Sequence, residues 1–405
     1  MPLTFDPQDF KHRIERELLG NILPFWMKHT VDEVHGGFYG AVLNNWQVQN
    51  DVPRSAIFCA RIMWTYAAAY RLYKDKPYLR MAERAYNYLK QAFWDRDYGG
   101  VYWHIDYQGK PLYDRKHSYA QAFAIYGLAE YHRATGEAQS LRLAQELFEF
   151  LEAYSYDLVN DGYVEGCSRE WGALDDMRLS EREPNCRKSM NTLLHIMEAY
   201  TQLLRVWDDA KLKARLRGLI LIFLNHVIDP QTCHFRLFFD DQWRSLKSIV
   251  SFGHDIEGSW LLVEAAEVLG EAGLLAQCRA MALKMAEAVY RQGLEPDGSL
   301  LYESTPEGIE TNDRHWWVQA EAVVGFYNAY QLSAQAGAPA PYFAEAAYRS
   351  WRYIEDHMVD RQHGEWFKVV RRDGTPRLDQ VKAGPWECPY HNSRTCYEMA
   401  ARLSQ

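Results

Sequence analysis

The feature that most limits the possible fold of this chain is a pattern that recurs six times. In each copy an Asp is followed by a short turn, often rich in Gly, and then by alternating aromatic and aliphatic residues. Neighbouring copies are 62 to 72 residues apart, and their leading residues are Asp32, Asp95, Asp157, Asp229, Asp297 and Asp360. A repeat of this length indicates one architecture of six similar units rather than six domains.

Between consecutive turn segments lie two stretches with the apolar spacing of amphipathic helices, for example "ARIMWTYAAAYRLY" and then "YLRMAERAYNYLKQAF". With an opening helix near residues 9–28 and a closing helix near 391–403, the count reaches twelve. A helical hairpin cannot bury its own apolar face, so we expect the six hairpins to close into a ring. The predicted fold is all-α, an (α/α)6 barrel with short β-turn segments at one end, formed by residues 1–405 as a single domain.

In each unit the helix directly after the turn segment is the more apolar and carries small residues, as in "AIYGLAEY". The second helix of the unit has a charged face, as in "LRMAERAYNYLKQ". The first helix therefore suits an inner position, packed on all sides, and the second suits an outer one. The ends of the inner helices are expected to line a central cavity.

The charge of the chain excludes some functions. Asp and Glu outnumber Lys and Arg by 54 to 45, and no block of basic residues occurs, which argues against nucleic acid as a partner. The N-terminus lacks the pattern of a secretory signal, and no apolar run is long enough for a membrane span. We expect a cytoplasmic protein without membrane association, either a monomer or a weak homodimer.

Cysteine and aromatic residues narrow the choice further. The seven Cys show no C-x-x-C spacing, which predicts buried thiols rather than disulfides or a zinc site. The chain has 14 Trp and 27 Tyr. Such rings either fill a core or stack against the apolar faces of sugar rings, and composition leaves both readings open.

Titratable residues gather at the starts of the predicted inner helices. Five of these helices carry a histidine near the start or in the first turns: His117, His195, His254, His315 and His391. The sixth carries Arg54 and Arg61 instead. A single His of this kind is usually a hydrogen-bonded core residue, but five at equivalent positions are expected to converge on one pocket.

The stretch "SFGHDIEGSW" is the most informative of these starts. His254 can act as base and acid near neutral pH, and Glu257, three residues later, lies on the same helical face, where it could orient the ring. Asp255 is better explained as a negative charge that is favourable at the N-terminus of a helix. Metal ligation is the rival chemistry for a His cluster, but no H-E-x-x-H spacing and no run of two His and a carboxylate occurs in one segment. A metal site assembled from separate helices stays open, but we expect no metal and no other cofactor.

The motifs together resemble a known family. "HGGFYG", "KHSYAQAFAIYGLAEY", "SMNTLLH", "SFGHDIEGSWLL", "DRHWWVQAEAVVGFYNAYQ" and "PYHNSR" are similar to those of the cellobiose 2-epimerases, in the N-acylglucosamine 2-epimerase superfamily, from about residue 10 to the C-terminus. The resemblance implies an (α/α)6 barrel. It also implies reversible inversion at C2 of the reducing-end glucose of a β-1,4-linked disaccharide, through ring opening and a cis-enediolate, without metal or nucleotide.

The resemblance also implies roles for individual residues. His254 and His391 match the acid/base pair that acts on C2, His195 matches the residue that assists ring opening, and Glu257 matches the carboxylate beside the histidine. The candidate substrate contacts are Arg61, Tyr119, Asn191, His315, Trp317, Trp386 and Glu303.

Three positions depart from the family pattern. Leu193 stands where many relatives have a second histidine, Glu387 where a lysine is common, and Ser393 where "HNGR" has glycine. The change at Glu387 puts the preference for a disaccharide in doubt.

Other functions remain open at this point. The same chemistry could act on mannose or mannobiose, or run as an aldose–ketose isomerisation. An (α/α)6 glycoside hydrolase would need two opposed carboxylates about 6.5–9.5 Å apart if inverting, for which Glu165, Asp175 and Asp176 are candidates. A sugar-binding protein without catalysis would use the same aromatic residues.

Overall fold

A computed structural model describes residues 3–181 and 183–404. In chain order its helices are α1 (Pro7–Glu17), α2 (Leu23–His29), α3 (Ala56–Tyr73), α4 (Lys76–Tyr88), α5 (Ser118–Thr135), α6 (Ala138–Phe150), α7 (Met190–Leu204), α8 (Ala210–Ile222), α9 (Phe252–Leu269), α10 (Ala272–Gln292), α11 (Trp316–Gln335), α12 (Pro341–Tyr353) and α13 (His391–Arg402). A π-helical turn, Leu18–Ile22, joins α1 to α2, so the described residues form twelve helical segments. Within these ranges no helix has the length and apolar character needed to cross a bilayer.

The odd-numbered helices from α3 to α13 form the inner ring, and the others surround it. In α3 every residue from Ala56 to Ala69 is buried, because an inner helix packs against neighbours in both layers. In α4 Met81 and Ala85 are buried, whereas Arg80 and Asn87 on the other face are exposed. This difference confirms the inner and outer assignment made from the sequence.

The ring closes between its last and first inner helices. The Tyr397 hydroxyl on α13 donates a hydrogen bond to the Thr65 carbonyl on α3 at 3.0 Å. The Thr65 hydroxyl in turn donates to the Pro389 carbonyl, just before α13, at 2.6 Å. The predicted (α/α)6 barrel is therefore confirmed.

Short strands gather at the end of the barrel where the inner helices begin. They are β1 (Ala41–Val42), β2 (Val48–Gln49), β3 (Arg54–Ser55), β4 (His104–Ile105), β5 (Pro111–Tyr113), β6 (Lys116–His117), β7 (Gly166–Cys167), β8 (Lys188–Ser189), β9 (Phe238–Phe239), β10 (Val250–Ser251), β11 (Glu303–Thr305), β12 (Gly308–Ile309), β13 (Arg314–His315) and β14 (Val369–Val370). A strand that precedes an inner helix pairs antiparallel with a strand from the turn segment of the next unit, as in β3–β4, β6–β7, β8–β9, β10–β11 and β13–β14. A bridge between Val42 and Ala383 links the sixth unit back to the first.

The repeated aspartates build the turn segments. The Asp95 carboxylate accepts hydrogen bonds from the N–H groups of Asp97 and Tyr98, and Lys116 donates to it at 2.8 Å. Lys116 is the first residue of β6, two positions before α5 begins. Arg54 and Lys188, at the equivalent positions before α3 and α7, pair in the same way with Asp32 and Asp157. Each such pair ties a turn segment to the start of an inner helix.

Three tryptophans clamp neighbouring units together. Trp46, Trp171 and Trp243 have φ of 67°, 64° and 64°, the left-handed region that glycine occupies more readily. Trp243 donates its indole N–H to the Asn160 carbonyl of the preceding unit at 2.7 Å and stacks on His226. The other two indoles make the corresponding bonds to the carbonyls of His363 and Tyr98. The left-handed backbone aims each indole at the turn segment of the preceding unit around the ring.

This clamp predicts a defined loss of stability. Trp243→Ala should lower the free energy of unfolding by about 2 kcal/mol, because a packed ring and its hydrogen bond are lost. Trp243→Gly should lose about 0.5–1 kcal/mol less, since glycine adopts the left-handed backbone without strain. Urea unfolding followed by circular dichroism measures both values. Equal stability of all three proteins would contradict a role for the indole.

Candidate active site

Side chains from the first turns of the inner helices meet at the end of the barrel that carries the strands. Trp317, the second residue of α11, lies between two imidazoles at this end. The ring centroid of His254, from the third position of α9, is 4.7 Å from the indole, and that of His391, the first residue of α13, is 5.5 Å from it. His254 and Trp317 remain partly exposed, so the ring of helices is open here. The two predicted acid/base residues thus share one wall of the site.

A glycine in α9 makes this wall possible. A Cβ atom at Gly253 would lie 2.6 Å from the Trp317 indole and 2.7 Å from Val318. Any larger residue would push the indole away from His254. The glycine of "FGHDIEG" is therefore explained by close packing between α9 and α11.

His391 is held by a carboxylate. Its Nδ1 atom lies 2.7 Å from Oε1 of Glu321, whose other oxygen accepts a hydrogen bond from the Trp260 indole at 3.1 Å. A carboxylate only accepts hydrogen bonds, so this contact assigns the ring proton to Nδ1 and leaves Nε2 with a lone pair. Burial, together with the charges of Arg61 and Arg394, holds the pKa of His391 well below its ordinary value. The ring is therefore neutral and able to accept a proton.

His195 is held in the same way. Its Nδ1 atom is 2.9 Å from the carboxylate of Glu198, one turn further along α7. Glu198 also accepts a hydrogen bond from the Tyr390 hydroxyl. Burial favours the neutral acid, but the charge of Arg394 and the bond from His195 outweigh burial and lower the pKa of Glu198 to about 2. Glu198 is therefore an ionised partner at neutral pH.

His254 has a different partner. Its Nδ1 atom lies 2.8 Å from the hydroxyl of Ser251, and burial lowers the pKa of the ring to about 3. Glu257, which the sequence suggested as the group that orients this ring, is instead hydrogen-bonded to Arg394. Its nearest imidazole is that of His391, with 3.8 Å between Oε1 and Nδ1. The expected pairing of Glu257 with His254 is thus not found, because α13 supplies a stronger, charged partner.

Arg394 connects the carboxylates of three other inner helices. Its guanidinium donates to Glu198 on α7, Glu257 on α9 and Glu321 on α11, the last at 2.6 Å. Burial and the neighbouring charge of Glu321 raise the pKa of Glu257 to about 7. The second oxygen of Glu257 is buried and has no hydrogen-bond partner within the described residues. One guanidinium thus faces three buried carboxylates, and burial raises the pKa of two of them, Glu257 and Glu321.

The same residues form the kind of cluster that can hold a cation. Glu257, Glu321 and His391 each bring one potential ligand atom within 4.8 Å of the others. The Arg394 guanidinium already donates to both carboxylates. The positive charge that such a cluster requires is therefore supplied by the protein itself.

Arg61 brings an unpaired positive charge to the site. Its guanidinium contacts neutral groups: the Tyr119 hydroxyl at 2.9 Å, the Cys388 sulfur at 3.8 Å and the ring of Phe123. No carboxylate in the described part of the chain lies within ion-pair distance of Arg61, and its Nε atom has no partner there. A buried cation of this kind is suited to an oxygen that develops negative charge.

The remaining candidate substrate contacts lie around the opening. Trp386 is 36% exposed, and its ring lies 6.0 Å from that of Tyr119 and 6.2 Å from that of Trp103. Asn191, the second residue of α7, has a buried Oδ1 atom without a partner in the described residues. His315 stacks on Tyr302 with 4.0 Å between ring centroids. Glu303 lies on β11, opposite Ser251 of β10.

Two residues that the sequence grouped with the site are structural. His117 is fully buried; its Nδ1 atom accepts from the Tyr119 N–H at the start of α5, and its Nε2 atom lies 3.2 Å from the Met177 carbonyl. Arg54 is paired with Asp32 in the first turn segment. The prediction that all five histidines and Arg54 converge on one pocket is therefore too broad.

Asp255 is also structural, through a contact that the sequence did not indicate. It bonds His234 at 2.7 Å and the Phe235 N–H at 2.7 Å, and so ties α9 to its turn segment.

The three departures from the family pattern lie outside the histidine cluster. Leu193 is fully buried in the core, Glu387 pairs with Lys368 at 2.5 Å, and the Ser393 hydroxyl donates to the Pro389 carbonyl.

The candidate carboxylates for glycoside hydrolysis either have partners within the protein or lie on its exposed surface. Glu165 is buried and accepts from the Ser189 N–H at 2.8 Å and from the Thr192 hydroxyl at 2.7 Å. Asp176 is exposed and paired with Arg178, and Asp175 is also exposed. A glycoside hydrolase built on these three residues is not favoured.

Several site residues escaped the sequence analysis: Ser251, Glu198, Glu321 and Arg394. Some signal was present, since His195 and Glu198 repeat the His-x-x-Glu spacing of His254 and Glu257. The contacts of Arg394 span the barrel, and a linear sequence gives no sign of them.

The chain is similar to known proteins over nearly its whole length. The sequence profile of the N-acylglucosamine 2-epimerase (GlcNAc 2-epimerase) family matches residues 37–394. The chain is similar to cellobiose 2-epimerases of Bacteroides fragilis, at 47% identity, and of Ruminococcus albus, at 40%; each alignment covers 96% of this chain and 98% of the relative. It is also similar to the solved structure of cellobiose 2-epimerase from Bacillus thermoamylovorans, with a TM-score of 0.92 and 40% identity over 98% of this chain and 100% of that one.

The raised pKa of Glu257 predicts how stability depends on pH. The folded carboxyl binds its proton more tightly than the unfolded one, whose pKa is near the ordinary 4.5. The stability that this group contributes is therefore complete below pH 4.5 and is lost as the pH rises through about 7. Glu257→Gln should flatten the fall in unfolding free energy over this range, as measured by urea unfolding at several pH values. The control Glu33→Gln, at an exposed residue, should keep the wild-type slope, and an equal slope in Glu257→Gln would contradict the assignment.

Proposed function

This chain belongs to the N-acylglucosamine 2-epimerase family and is a carbohydrate epimerase, and we propose that it inverts C2 of the reducing-end glucose of a β-1,4-linked disaccharide such as cellobiose. The observation that carries the proposal is the pair His254 and His391 on either side of Trp317. Both rings have their Nδ1 atoms engaged within the protein, which leaves both Nε2 atoms for a substrate. We propose further that residues 1–405 act as one catalytic domain.

Ring opening has to come first. The proton on C2 becomes acidic only when C1 is an open carbonyl. We assign this step to His195, whose Nδ1 atom is bonded to Glu198, so that Nε2 can move a proton between the ring oxygen and O1. The neighbouring Tyr119, with 5.0 Å between its ring centroid and that of His195, would help to hold the open chain.

Inversion needs two proton-transfer groups that act on one carbon. One imidazole takes the C2 proton on its Nε2 atom. The electron pair of the C–H bond forms the C1=C2 double bond, and the π pair of the C1 carbonyl moves onto O1, which gives the enediolate. The other imidazole starts this step with a second proton on its Nε2 atom, gives that proton to the opposite face of C2 and becomes neutral. Each transfer is worth about 10²- to 10⁴-fold in rate, so both histidines are needed.

The enediolate carries negative charge that must be stabilised. Arg61 is suited to this role because its guanidinium has no carboxylate partner among the described residues. A donor that is already in place before the charge develops costs no reorganisation during the step.

The preference for a disaccharide rests on the opening of the site. Trp386 and Trp103 offer apolar ring faces there, against which a second sugar ring could stack. The likeness to enzymes named for cellobiose points in the same direction. Mannose, mannobiose and the ketose product remain the alternatives, because the same enediolate can be formed from them or reprotonated at C1.

Incubation with cellobiose in D₂O tests this function. We expect the mannose-containing epimer to appear with deuterium at C2, as detected by NMR and mass spectrometry. Deuterium at C1 with a ketose product would indicate isomerisation, and release of glucose would indicate hydrolysis. Turnover of mannose but not of cellobiose would contradict the proposed substrate.

The two histidines can be tested separately. His254→Ala and His391→Ala should each abolish epimerisation but leave cellobiose binding detectable by calorimetry, since each removes one proton-transfer group and few binding contacts. The control His117→Gln changes an imidazole that lies outside the cluster and should remain active once folded. A variant that keeps more than about a tenth of wild-type activity would remove that histidine from the proposed role.

A further inference from the structure

The residue that precedes each inner helix offers an internal comparison between the repeats. Five inner helices are preceded by a two-residue strand, and the second residue of that strand occupies the N-cap position. These residues are Ser55, His117, Ser189, Ser251 and His315. An N-cap side chain normally accepts a hydrogen bond from an N–H group in the first turn of its helix.

Three of the five residues follow this rule. The acceptors and their donors are Ser55 Oγ with the Ile57 N–H at 3.2 Å, His117 Nδ1 with the Tyr119 N–H at 3.3 Å, and Ser189 Oγ with the Thr192 N–H at 3.1 Å. Capping is therefore the ordinary use of this position in the barrel.

Ser251 departs from the rule. It accepts no capping bond from the first turn of α9, and its hydroxyl lies 2.8 Å from Nδ1 of His254. The serine is fully buried, and its backbone is fixed by pairing with Glu303 on β11. The hydroxyl is thus held in one place and aimed at the imidazole.

Given the proposed function, we propose that Ser251 is a positioning residue. Its hydroxyl contacts His254 instead of capping α9, and so orients the imidazole for proton transfer at C2. The side chain touches the ring and not the reacting carbon. Its effect on catalysis therefore passes entirely through His254.

The choice of a hydroxyl has a chemical consequence. His391 and His195 are bonded to carboxylates, which only accept hydrogen bonds and which stabilise a charged ring. A serine hydroxyl both donates and accepts, and it adds no negative charge. Ser251 can therefore accept the Nδ1–H of His254 without stabilising the charged ring as a carboxylate would.

A reversible epimerase requires the ring of His254 to keep one orientation before and after proton transfer. When His254 removes the C2 proton, its Nδ1–H donates to Ser251 and Nε2 accepts the proton. When His254 delivers a proton, Nε2 loses it to C2 and the ring returns to the neutral form. The hydroxyl holds the ring plane in both directions.

Ser251→Ala tests the proposal. We expect kcat for cellobiose epimerisation to fall about 10- to 100-fold with KM changed less than threefold, because proton transfer is impaired while the sugar contacts remain. With substrate deuterated at C2, the isotope effect on kcat should rise, since proton transfer becomes more nearly rate-limiting. Ser251→Thr keeps a hydroxyl and should recover at least a third of the wild-type kcat.

Ser55→Ala is the matched control, because it removes a buried N-cap serine that does make the capping bond. It should lower Tm yet keep kcat within about twofold and leave the isotope effect unchanged. If Ser251→Ala behaves like Ser55→Ala, or if Ser251→Thr is as slow as Ser251→Ala, the inference fails while the epimerase assignment stands. A wild-type protein without epimerase activity would instead overturn the proposed function.

Discussion

The guanidinium of Arg394 holds four of the six inner helices together. It lies on α13 and donates to one carboxylate on each of α7, α9 and α11. Burial of an unpaired carboxylate destabilises the folded state, and loss of one partner from a buried ion pair typically lowers the free energy of unfolding by about 3–5 kcal/mol. Because two of these carboxylates also hold His195 and His391, the geometry of the proposed chemistry depends on this one side chain.

The charge balance of this cluster matters as much as its geometry. One cation cannot neutralise three carboxylates. Burial and the charge of Glu321 raise the pKa of Glu257 to about 7, and burial also raises the pKa of Glu321. Glu198 stays ionised because it receives donors from Arg394, His195 and Tyr390. In Glu257 the site therefore contains a carboxyl whose proton can change near neutral pH, next to the imidazoles of His254 and His391, which burial keeps neutral.

The residue that precedes an inner helix makes different contacts in different repeats. The residues before α3, α5 and α7 cap their helices, whereas the equivalent Ser251 contacts His254. In the same way His117 supports a helix start, while His391, the first residue of α13, faces Trp317. Six similar units supply the ring of helices, and at α9 the position that caps α3, α5 and α7 instead contacts a proposed proton-transfer residue.

The sequence alone determined the number of units, the inner and outer helices and the closed ring, because six turn motifs and two helical periods are local patterns. It also indicated His254 and His391, whose positions at helix starts are legible in the chain. Only the tertiary structure decided which groups are in contact. Glu257 pairs with Arg394 rather than with His254, and Glu321 holds His391. His117 and Arg54 have structural contacts instead. The physical reason is that a buried charge pairs with the strongest partner within reach. Contacts between residues as far apart in sequence as Thr65 and Tyr397, 332 positions, exist only once the ring has closed.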